Sequence, residues 1–293
     1  MIILVALSVF PLLDSLRLSF LSDNLLSVAP VQFVGLTNYW NLLHDRLFWS
    51  GLAVTGVFAL SVVTIQLVVG LGLALALYRL PRFQQFLATL LLIPSILSQS
   101  VAGFQWLQLF NYQGGLLNYF LAKLHLPLQT WNASPQMALP SLVLVDFWQW
   151  TPFMVLLLFA GLRSLPPSVF EAARIDGSSG WQLLRYQTIP LLRRVIGIAV
   201  ILRLVAAFKI FSIIYVLTQG GPGVATESLA YYQYVQGFTY FNVGYTAAMS
   251  FVSLIIVVVL VKLILGFIER PAGQVEASER SLEAAIVPAV VGS

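Results

Sequence analysis

From Ser50 to Tyr78 the chain carries no charged side chain. A helix needs about 20 apolar residues to cross a bilayer, so this run is long enough to span one. Of the 293 residues, 59% are hydrophobic and only 9% are charged. Soluble domains carry roughly 25% charged residues. The sequence therefore predicts an all-α integral membrane protein.

Six apolar runs are long enough to be candidate spans. They cover residues 1–20, 50–78, 86–110, 138–162, 195–218 and 243–268. A signal peptide is the alternative interpretation of the first run, but that run lacks a basic start and a small-residue cleavage site. Residues 1–268 are therefore predicted to form one transmembrane domain. Residues 269–293 alternate charge with small residues and are predicted to be a mobile tail.

The basic residues lie mostly on one side of the predicted membrane. The 79–82 and 163–194 loops and the tail contain nine arginines: Arg79, Arg82, Arg163, Arg174, Arg185, Arg193, Arg194, Arg270 and Arg280. The opposite loops, including the predicted external loop at 21–49, contain only Arg46 and Lys123. Cytoplasmic loops are enriched in Lys and Arg, so both termini are predicted to be cytoplasmic.

Several chemistries are excluded or disfavoured by composition. The chain has no cysteine, which excludes disulfides, thiol catalysis and cysteine-ligated metals. Its lysines are Lys123, Lys209 and Lys262, and none follows a glycine, so there is no P-loop. His44 and His125 have no second ligand nearby in the sequence, so we predict no metal site. The acidic residues are scattered, which argues against a membrane-embedded enzyme.

The arginine-rich loop between the fourth and fifth spans has a readable local pattern. Ser168 precedes Glu171, and Ser179 precedes Gln182, by the spacing of a capping box. Gly177 can adopt the left-handed conformation that ends a helix. The pattern predicts two short helices lying across the cytoplasmic face. An ordinary solvated loop is the alternative.

The same loop carries a motif. Glu171-Ala172-Ala173, then Gly177 and Ile189-Pro190, resembles the EAA loop of binding-protein-dependent ABC importer permeases, with Gln187 at a position where the family pattern has isoleucine. Three further segments resemble the sugar-permease branch of the maltose-transport type: Phe33–Tyr39, Trp150–Phe153 and Ile214–Pro222.

This resemblance implies a type I ABC importer permease fold with six transmembrane helices, in a bacterial plasma membrane. It implies a non-catalytic subunit that moves a sugar or sugar-like solute, such as an oligosaccharide, a polyol or a glycosylated compatible solute. The implied partners are a dimer of ATPase subunits that bind ATP and Mg, a second permease subunit and an extracytoplasmic solute-binding protein. The second permease is expected to be a different chain, although a homodimer remains open. No cofactor is expected on this chain. The residues expected to dock on the ATPase are Glu171, Ala172, Ala173, Asp176 and Gly177.

Asp146, Gln149, Trp150 and Phe153 share one face of the predicted fourth span. Polar groups at membrane depth are costly and tend to be functional. An acid and an amide beside aromatic rings would suit a polyhydroxylated ligand, and the resemblance places these residues in the region that lines the maltose-type site. Further candidates for solute contact are Phe208, Lys209, Ser95 and Gln99.

Alternatives remain open for both the site and the class. Asp146 could instead pair with Arg203 or Lys209 to hold helices together. A glycerol-phosphate importer permease is the alternative within the family. A proton- or sodium-driven secondary transporter would also place polar groups in its spans, but it would not need an EAA loop. Near the end of the first span, Asp14 and Arg17 are predicted to pair.

Overall fold

The computed structural model describes residues 2–28, 30–166, 168, 170–171, 173 and 177–268. The helices are α1 (Ile2–Leu18), α2 (Thr37–His44), α3 (Arg46–Tyr78), α4 (Gln84–Ile96), α5 (Gln99–Leu109), α6 (Leu116–Lys123), α7 (Pro135–Arg163), α8 (Gly180–Leu183), α9 (Ile189–Phe208), α10 (Ser212–Leu217), α11 (Leu229–Tyr234) and α12 (Val243–Ile268). Short π-helical segments, Leu184–Thr188 and Val235–Thr239, continue α8 and α11. The predicted tail at 269–293 lies outside the described residues.

Among the described residues, three unbroken helices are long enough and apolar enough to cross a membrane. They are α3 with 33 residues, α7 with 29 residues and α12 over Val243–Gly266. They correspond to the predicted second, fourth and sixth spans. The predicted first and fifth spans correspond to α1, which has 17 residues, and α9, which has 20.

The predicted third span is two helices and not one. Helices α4 and α5 meet at 89°. Pro94 lies in the last turn of α4, and the backbone at Leu97 and Ser98 is extended. The Ser98 hydroxyl accepts a hydrogen bond from the Val101 N–H at 3.3 Å and so caps the start of α5. The expectation of one continuous helix over residues 86–110 is therefore wrong, because this capped break separates the two halves.

The fifth span also ends earlier than predicted. Helix α9 stops at Phe208, and the chain then folds back through α10 and a loop to α11. The Ser228 hydroxyl donates to the Ile210 carbonyl at 2.9 Å, and the Leu229 N–H donates to Thr55 Oγ1 of α3 at 2.9 Å. These bonds hold the returning segment against α3. Only the first part of the span predicted over residues 195–218 is therefore helix α9. The rest belongs to a hairpin formed by α10, the loop after it and α11.

The centre of the subunit is formed by α3, α7 and α9. Buried side chains of these helices make up most of two apolar clusters. Two glycines allow close helix approach: a Cβ at Gly70 would lie 2.8 Å from Met154, and one at Gly161 would lie 2.8 Å from Val195. Small residues serve this purpose in membrane proteins, where van der Waals packing drives helix association.

The predicted external loop at 21–49 contains α2, and α3 begins within that loop at Arg46. Asp45 determines this start, because its carboxylate accepts a hydrogen bond from the Leu47 N–H at 2.9 Å. The hydroxyls of Tyr232 and Tyr245 also donate to Asp45, at 2.6 and 2.5 Å. Burial acts to raise the pKa of Asp45, but these hydrogen bonds outweigh it and lower the pKa below its ordinary value. Asp45 therefore joins the start of α3 to α11 and α12.

The predicted pairing of Asp14 with Arg17 is confirmed at 3.5 Å on α1. The Arg17 side chain is largely exposed and that of Asp14 is about half exposed, and they lie three residues apart on the same helix. Exposed pairs of this kind contribute little to stability, about 0.2–1 kcal/mol. The pair is thus a local feature of α1.

Candidate functional site

Gln66, Asp146 and Arg203 form a buried polar network where α3, α7 and α9 meet. Arg203 Nη2 donates to Asp146 Oδ1 at 2.5 Å, and Arg203 Nε donates to Gln66 Oε1 at 2.8 Å. Gln66 Nε2 donates to the same Asp146 oxygen at 2.9 Å. Each of the three residues is at most 2% exposed. The network therefore joins three helices through groups whose formal charges cancel.

The pairing of Asp146 with Arg203, one of the alternatives left open by the sequence, is confirmed. Lys209 lies beyond ion-pair distance of Asp146 in the described chain. Solute contact by Asp146 stays a prediction, since its carboxylate is enclosed within the subunit in this conformation. The sequence reasoning missed Gln66. The available signal was a single amide side chain in an otherwise uncharged apolar run.

Gln149 connects α7 to the break between α4 and α5. Its Nε2 donates to the Leu97 carbonyl at 2.8 Å. Its Oε1 is buried and has no hydrogen-bond partner in the described part of the chain, and the same is true of Trp150 Nε1. An unsatisfied buried polar group costs about 1–3 kcal/mol. An acceptor and a donor on adjacent residues are therefore left without hydrogen-bond partners in this conformation of the described chain.

The Trp150 ring lies between a cation and a second aromatic ring in the described structure. The Trp150 ring lies 5.2 Å from the Arg203 guanidinium carbon and 6.4 Å from the Phe153 ring. The guanidinium is thus held both by Asp146 and over the indole face, a favourable cation–π arrangement. Arg203 thus links Asp146 to Trp150, and Trp150 lies beside Phe153, whereas Gln149 bonds to the break between α4 and α5.

The remaining solute candidates are placed on other elements. Ser95 donates to the Leu92 carbonyl at 2.8 Å within α4, and Gln99 is the first residue of α5. Both border the break where Gln149 bonds. Phe208 is buried at the end of α9, and Lys209 is exposed directly after it.

Lys209 stands at the C-terminus of α9, where the helix dipole favours a cation by about 0.3–1 kcal/mol. A lysine at the bilayer centre costs about 2.5–3.5 kcal/mol on insertion scales. The dipole alone therefore offsets only part of the cost of a lysine at membrane depth.

The residues predicted to dock on the ATPase lie between α7 and α8, in residues 164–179, which we call the coupling segment. Glu171 is helical and exposed, and Ala173 is helical and buried. Ala172 and Asp176 lie outside the described residues. Gly177 has φ +72°, which confirms the predicted left-handed conformation. The Ser178 N–H donates to the Ala173 carbonyl at 3.0 Å, the long-range bond of a Schellman helix end.

The start of the following helix is also as predicted. Ser179 and Gln182 form a reciprocal capping box, with bonds of 2.8 and 3.3 Å. Pro190 lies in the first turn of α9. The Ser168–Glu171 capping box stays a prediction. The described part of the loop thus has defined helix ends rather than an irregular path.

A cavity of about 320 Å³ lies beside the coupling segment. Its walls come from the end of α3, the coupling segment, α8 and the π-helical turn, and they include Tyr78, Arg79, Phe170, Gly180 and Thr188. The rings of Tyr78 and Phe170 lie 6.1 Å apart. The coupling segment therefore rests on α3 as well as being joined by the chain to α7 and α9.

Comparison with known proteins defines the class. Residues 66–270 match the family described as binding-protein-dependent transport system inner membrane component. The chain belongs to this family, whose members are membrane subunits of transporters. The match includes the buried network, the coupling segment and the returning hairpin.

Two relatives are trehalose transporters by name. The trehalose/maltose transport system permease protein MalF of Thermococcus litoralis is 39% identical over 72% of this chain and 70% of its own length. The trehalose transport system permease protein SugA of Mycobacterium tuberculosis is 36% identical over 85% of this chain and 79% of its own. A third relative, the sn-glycerol-3-phosphate transport system permease protein UgpA of Agrobacterium fabrum, is 34% identical over 81% of both chains.

A solved structure confirms the fold. The chain matches a subunit of a bacterial ABC transporter involved in the import of the acidic polysaccharide alginate, with a TM-score of 0.80, 18% identity and 92% of each chain covered. The predicted type I importer permease fold is therefore correct. At this level of identity the likeness carries the fold alone.

Proposed function

We propose that this chain is the transmembrane permease subunit of an ATP-driven, binding-protein-dependent importer for a sugar or sugar-like solute. The observation that carries the proposal is the coupling segment, with its Schellman end at Gly177 and its capping box at Ser179, in a chain of this family. A segment with defined ends between α7 and α9 can transmit a displacement from a cytoplasmic partner to both helices.

The energy source in this proposal is a separate chain. The sequence has no P-loop, so the ATP and Mg are bound by a dimer of partner ATPase subunits. Each ATPase subunit would offer one cleft to one coupling segment, so a second permease subunit completes the pathway. We propose that this second subunit is a different chain. An extracytoplasmic binding protein would deliver the solute.

The proposed solute is a neutral polyhydroxylated compound such as an oligosaccharide. The names of two relatives specify trehalose or maltose. In this chain, Gln149 and Trp150 supply a buried acceptor and donor with no partner in the described structure, next to the Phe153 ring. Asp146 is neutralised by Arg203, so the site carries no net charge from this pair. Ser95 and Gln99, at the border of the helix break, are the next candidates.

The glycerol-phosphate importer remains the second candidate, favoured by the named relative UgpA. An anionic solute would need a cation that faces it. Arg203 is already held by Asp146 and Gln66. Lys209 is exposed, but it lines an apolar pocket that includes neither Gln149 nor Trp150. The neutral sugar is therefore the better fit to the described residues.

The proposed location is the bacterial plasma membrane, with both termini in the cytoplasm. The excess of arginine in the 79–82 and 163–194 loops supports this orientation. The coupling segment then lies on the side where ATP is available.

The test is to purify the tagged chain from its native membrane and reconstitute it in liposomes with every subunit that co-purifies. We expect MgATP-dependent uptake of a radiolabelled sugar from a panel, stimulated by the solute-binding protein. Changing both Glu171 and Gly177 should abolish coupled uptake. Full uptake by that double variant would contradict the proposal. Uptake by the chain alone, driven by an ion gradient, would instead support a secondary transporter.

A further inference from the structure

The cavity of about 320 Å³ beside the coupling segment crosses the boundary between the apolar span α3 and the loop that follows it. Leu75 and Tyr78, in the last turn of α3, line the cavity, and so does Arg79, the next residue. The chain carries no charge from residue 50 to residue 78. At 1.5 Å per residue, Leu75 lies about 6 Å before Arg79 within that apolar run. One end of the cavity is therefore level with the hydrocarbon and the other with the charged loop.

Exposed aromatic side chains mark the same level on the opposite wall. Leu183 and Leu184 line the cavity, and Trp181 and Tyr186 stand just before and after them in the chain. Both of these aromatic residues are 65% exposed. Tryptophan and tyrosine are enriched where a bilayer meets water, because their rings are amphipathic. The cavity thus lies where phospholipid headgroups join their acyl chains.

The charges around the cavity attract an anion. Arg79 is exposed, and no described carboxylate lies within ion-pair distance of it. The described part of the 79–82 and 163–194 loops contains one acid, Glu171. Five further exposed arginines lie in these loops: Arg82, Arg163, Arg185, Arg193 and Arg194. Basic segments at a membrane surface attract anionic lipids, by about 1 kcal/mol for each Lys or Arg near the surface.

We propose that this cavity binds an anionic phospholipid, with the phosphate on Arg79 and the start of one acyl chain against Leu75 and Leu184. An amphiphile is the ligand that covers both ends of the cavity. A free phosphate would leave the apolar wall bare, and a soluble protein would have to enter the apolar layer to reach Leu75. A guanidinium suits a phosphate because it donates two parallel hydrogen bonds to the phosphate oxygens.

The position of the cavity gives the bound lipid a consequence. Phe170 of the coupling segment also lines it, and its ring lies 6.1 Å from that of Tyr78 on α3. A lipid held there would brace the coupling segment against α3 and so increase the sugar taken up per ATP hydrolysed. The binding of lipid requires only that the chain lies in a membrane. Its effect on coupling rests on the proposed function.

The binding test uses the complex as it co-purifies, placed in phosphatidylcholine vesicles. A small share of phosphatidylglycerol carries a photoreactive diazirine at the start of one acyl chain, and mass spectrometry maps the labelled residues after irradiation. We expect label on the cavity wall, at Leu75, Leu183 or Leu184. Unlabelled phosphatidylglycerol should compete with the probe, and inorganic phosphate should not. A phosphatidylcholine probe with the same diazirine should label this wall less.

The matched variants are Arg79→Gln and Arg82→Gln. Arg82 is an exposed arginine of the same loop that does not line the cavity. Arg79→Gln should reduce labelling of the wall by about tenfold, because it removes charge-assisted hydrogen bonds to the phosphate. Arg82→Gln should leave most of the labelling, and Arg79→Lys should retain more of it than Arg79→Gln.

The effect on coupling is measured in vesicles with and without phosphatidylglycerol. The uptake of sugar per ATP should rise with phosphatidylglycerol in the wild type and in Arg82→Gln, but not in Arg79→Gln. If the proposed function fails, no vesicle will show ATP-dependent uptake, while the labelling result will stand unchanged.

Four outcomes would overturn the inference. The first two are equal labelling of the wall by the two lipid probes and equal losses in the Arg79 and Arg82 variants. The third is competition by inorganic phosphate. The fourth is absence of label in the intact complex, which would assign the cavity to a protein partner. A loss of coupling in Arg79→Gln that is the same in both kinds of vesicle would remove the lipid from the coupling effect.

Discussion

Among single residues, Arg203 has the largest expected effect on stability. Removing one member of a buried ion pair leaves an uncompensated charge and typically costs about 3–5 kcal/mol. We expect Arg203→Met to lower the unfolding temperature in detergent strongly, because Asp146 would then be buried without its partner. The double variant with Asp146→Leu should recover much of the loss, because it removes the second charge as well.

The control for this prediction is Arg193→Met, which changes an exposed arginine at the other end of α9. It should change the unfolding temperature little. Equal losses in the Arg193 and Arg203 variants would show that the network of Gln66, Asp146 and Arg203 contributes no special stability.

Asp45 gives a prediction about pH. Although burial opposes it, the hydrogen bonds from Tyr232, Tyr245 and Leu47 lower the pKa of Asp45 in the folded protein. The unfolded chain, with an ordinary pKa of about 3.9, therefore binds a proton at higher pH than the folded chain does. The stabilisation is present above about pH 4 and is lost as the pH falls through the folded pKa.

We expect Asp45→Asn to lower the unfolding temperature at pH 7 and to flatten its decrease between pH 5 and pH 3 (about one unit either side of the ordinary pKa). The measurement is a series of thermal unfolding curves across that range for both proteins. The same decrease on acidification in wild type and variant would rule out Asp45 as a source of the acid sensitivity.

At the level of secondary-structure elements, the helix end at Gly177 can be tested with a matched glycine. A Cβ at Gly177 or at Gly180 would meet no atom within 4 Å, but only Gly177 has a positive φ, of +72°. The left-handed conformation costs a non-glycine residue about 1–2 kcal/mol. Gly177→Ala should therefore lower the amount of sugar taken up per ATP hydrolysed, whereas Gly180→Ala should not.

Gly177→Asn should retain more activity than Gly177→Ala, because asparagine tolerates the left-handed region better. The ratio of uptake to ATP hydrolysis in liposomes measures coupling in all three variants. Identical ratios for the two alanine variants would mean that the helix end at Gly177 has no part in coupling.

The contact between α3 and α7 offers a second matched pair. A Cβ at Gly70 would lie 2.8 Å from Met154 Cγ, whereas a Cβ at Gly72 would meet nothing within 4 Å. Overpacking a helix contact typically costs about 1–3 kcal/mol. Gly70→Val should therefore lower the unfolding temperature clearly more than Gly72→Val does. If the two valine variants unfold together, the close approach of these helices is not important for stability.

Secondary-structure elements that depend on interactions between residues close in sequence were predicted correctly, and elements that depend on contacts with distant helices were not. Helices α3, α7 and α12 were predicted well because their apolar character is a property of each run by itself. The left-handed Gly177 and the Ser179 cap were predictable because their partners lie within a few residues. The break at Leu97 and the hairpin after Phe208 were missed, because their bonds reach Gln149 and Thr55 on distant helices.

For the candidate site, the sequence placed Asp146, Gln149, Trp150 and Phe153 together but could not choose the partner of Asp146. Arg203 and Lys209 lie near each other in the sequence, on or directly after the same helix. The choice depends on the direction in which α9 faces α7. Only the three-dimensional packing supplies that direction, and it selects Arg203.

For the molecule as a whole, the position of the coupling segment relative to the buried network suggests how a displacement would spread. The segment joins α7 to α9 through α8, and those two helices carry Asp146 and Arg203. Gln66 adds α3 to the same unit. A force on the segment would therefore move three helices held together by one network, rather than a single loop. The break bonded to Gln149 lies at the edge of this unit.

This arrangement requires the coupling segment to face the cytoplasm, which can be tested in intact cells. Because the chain has no cysteine, Glu171→Cys and His125→Cys each create a single thiol at an exposed position. Glu171 is predicted to lie on the cytoplasmic side of the membrane and His125 on the external side. A membrane-impermeant maleimide should label His125→Cys in intact cells and should label Glu171→Cys only after the membrane is opened. Labelling of Glu171→Cys in intact cells would show that the coupling segment faces outward, where it could not contact the ATPase. The excess of arginine on the side of Glu171 is the physical reason to expect the first result.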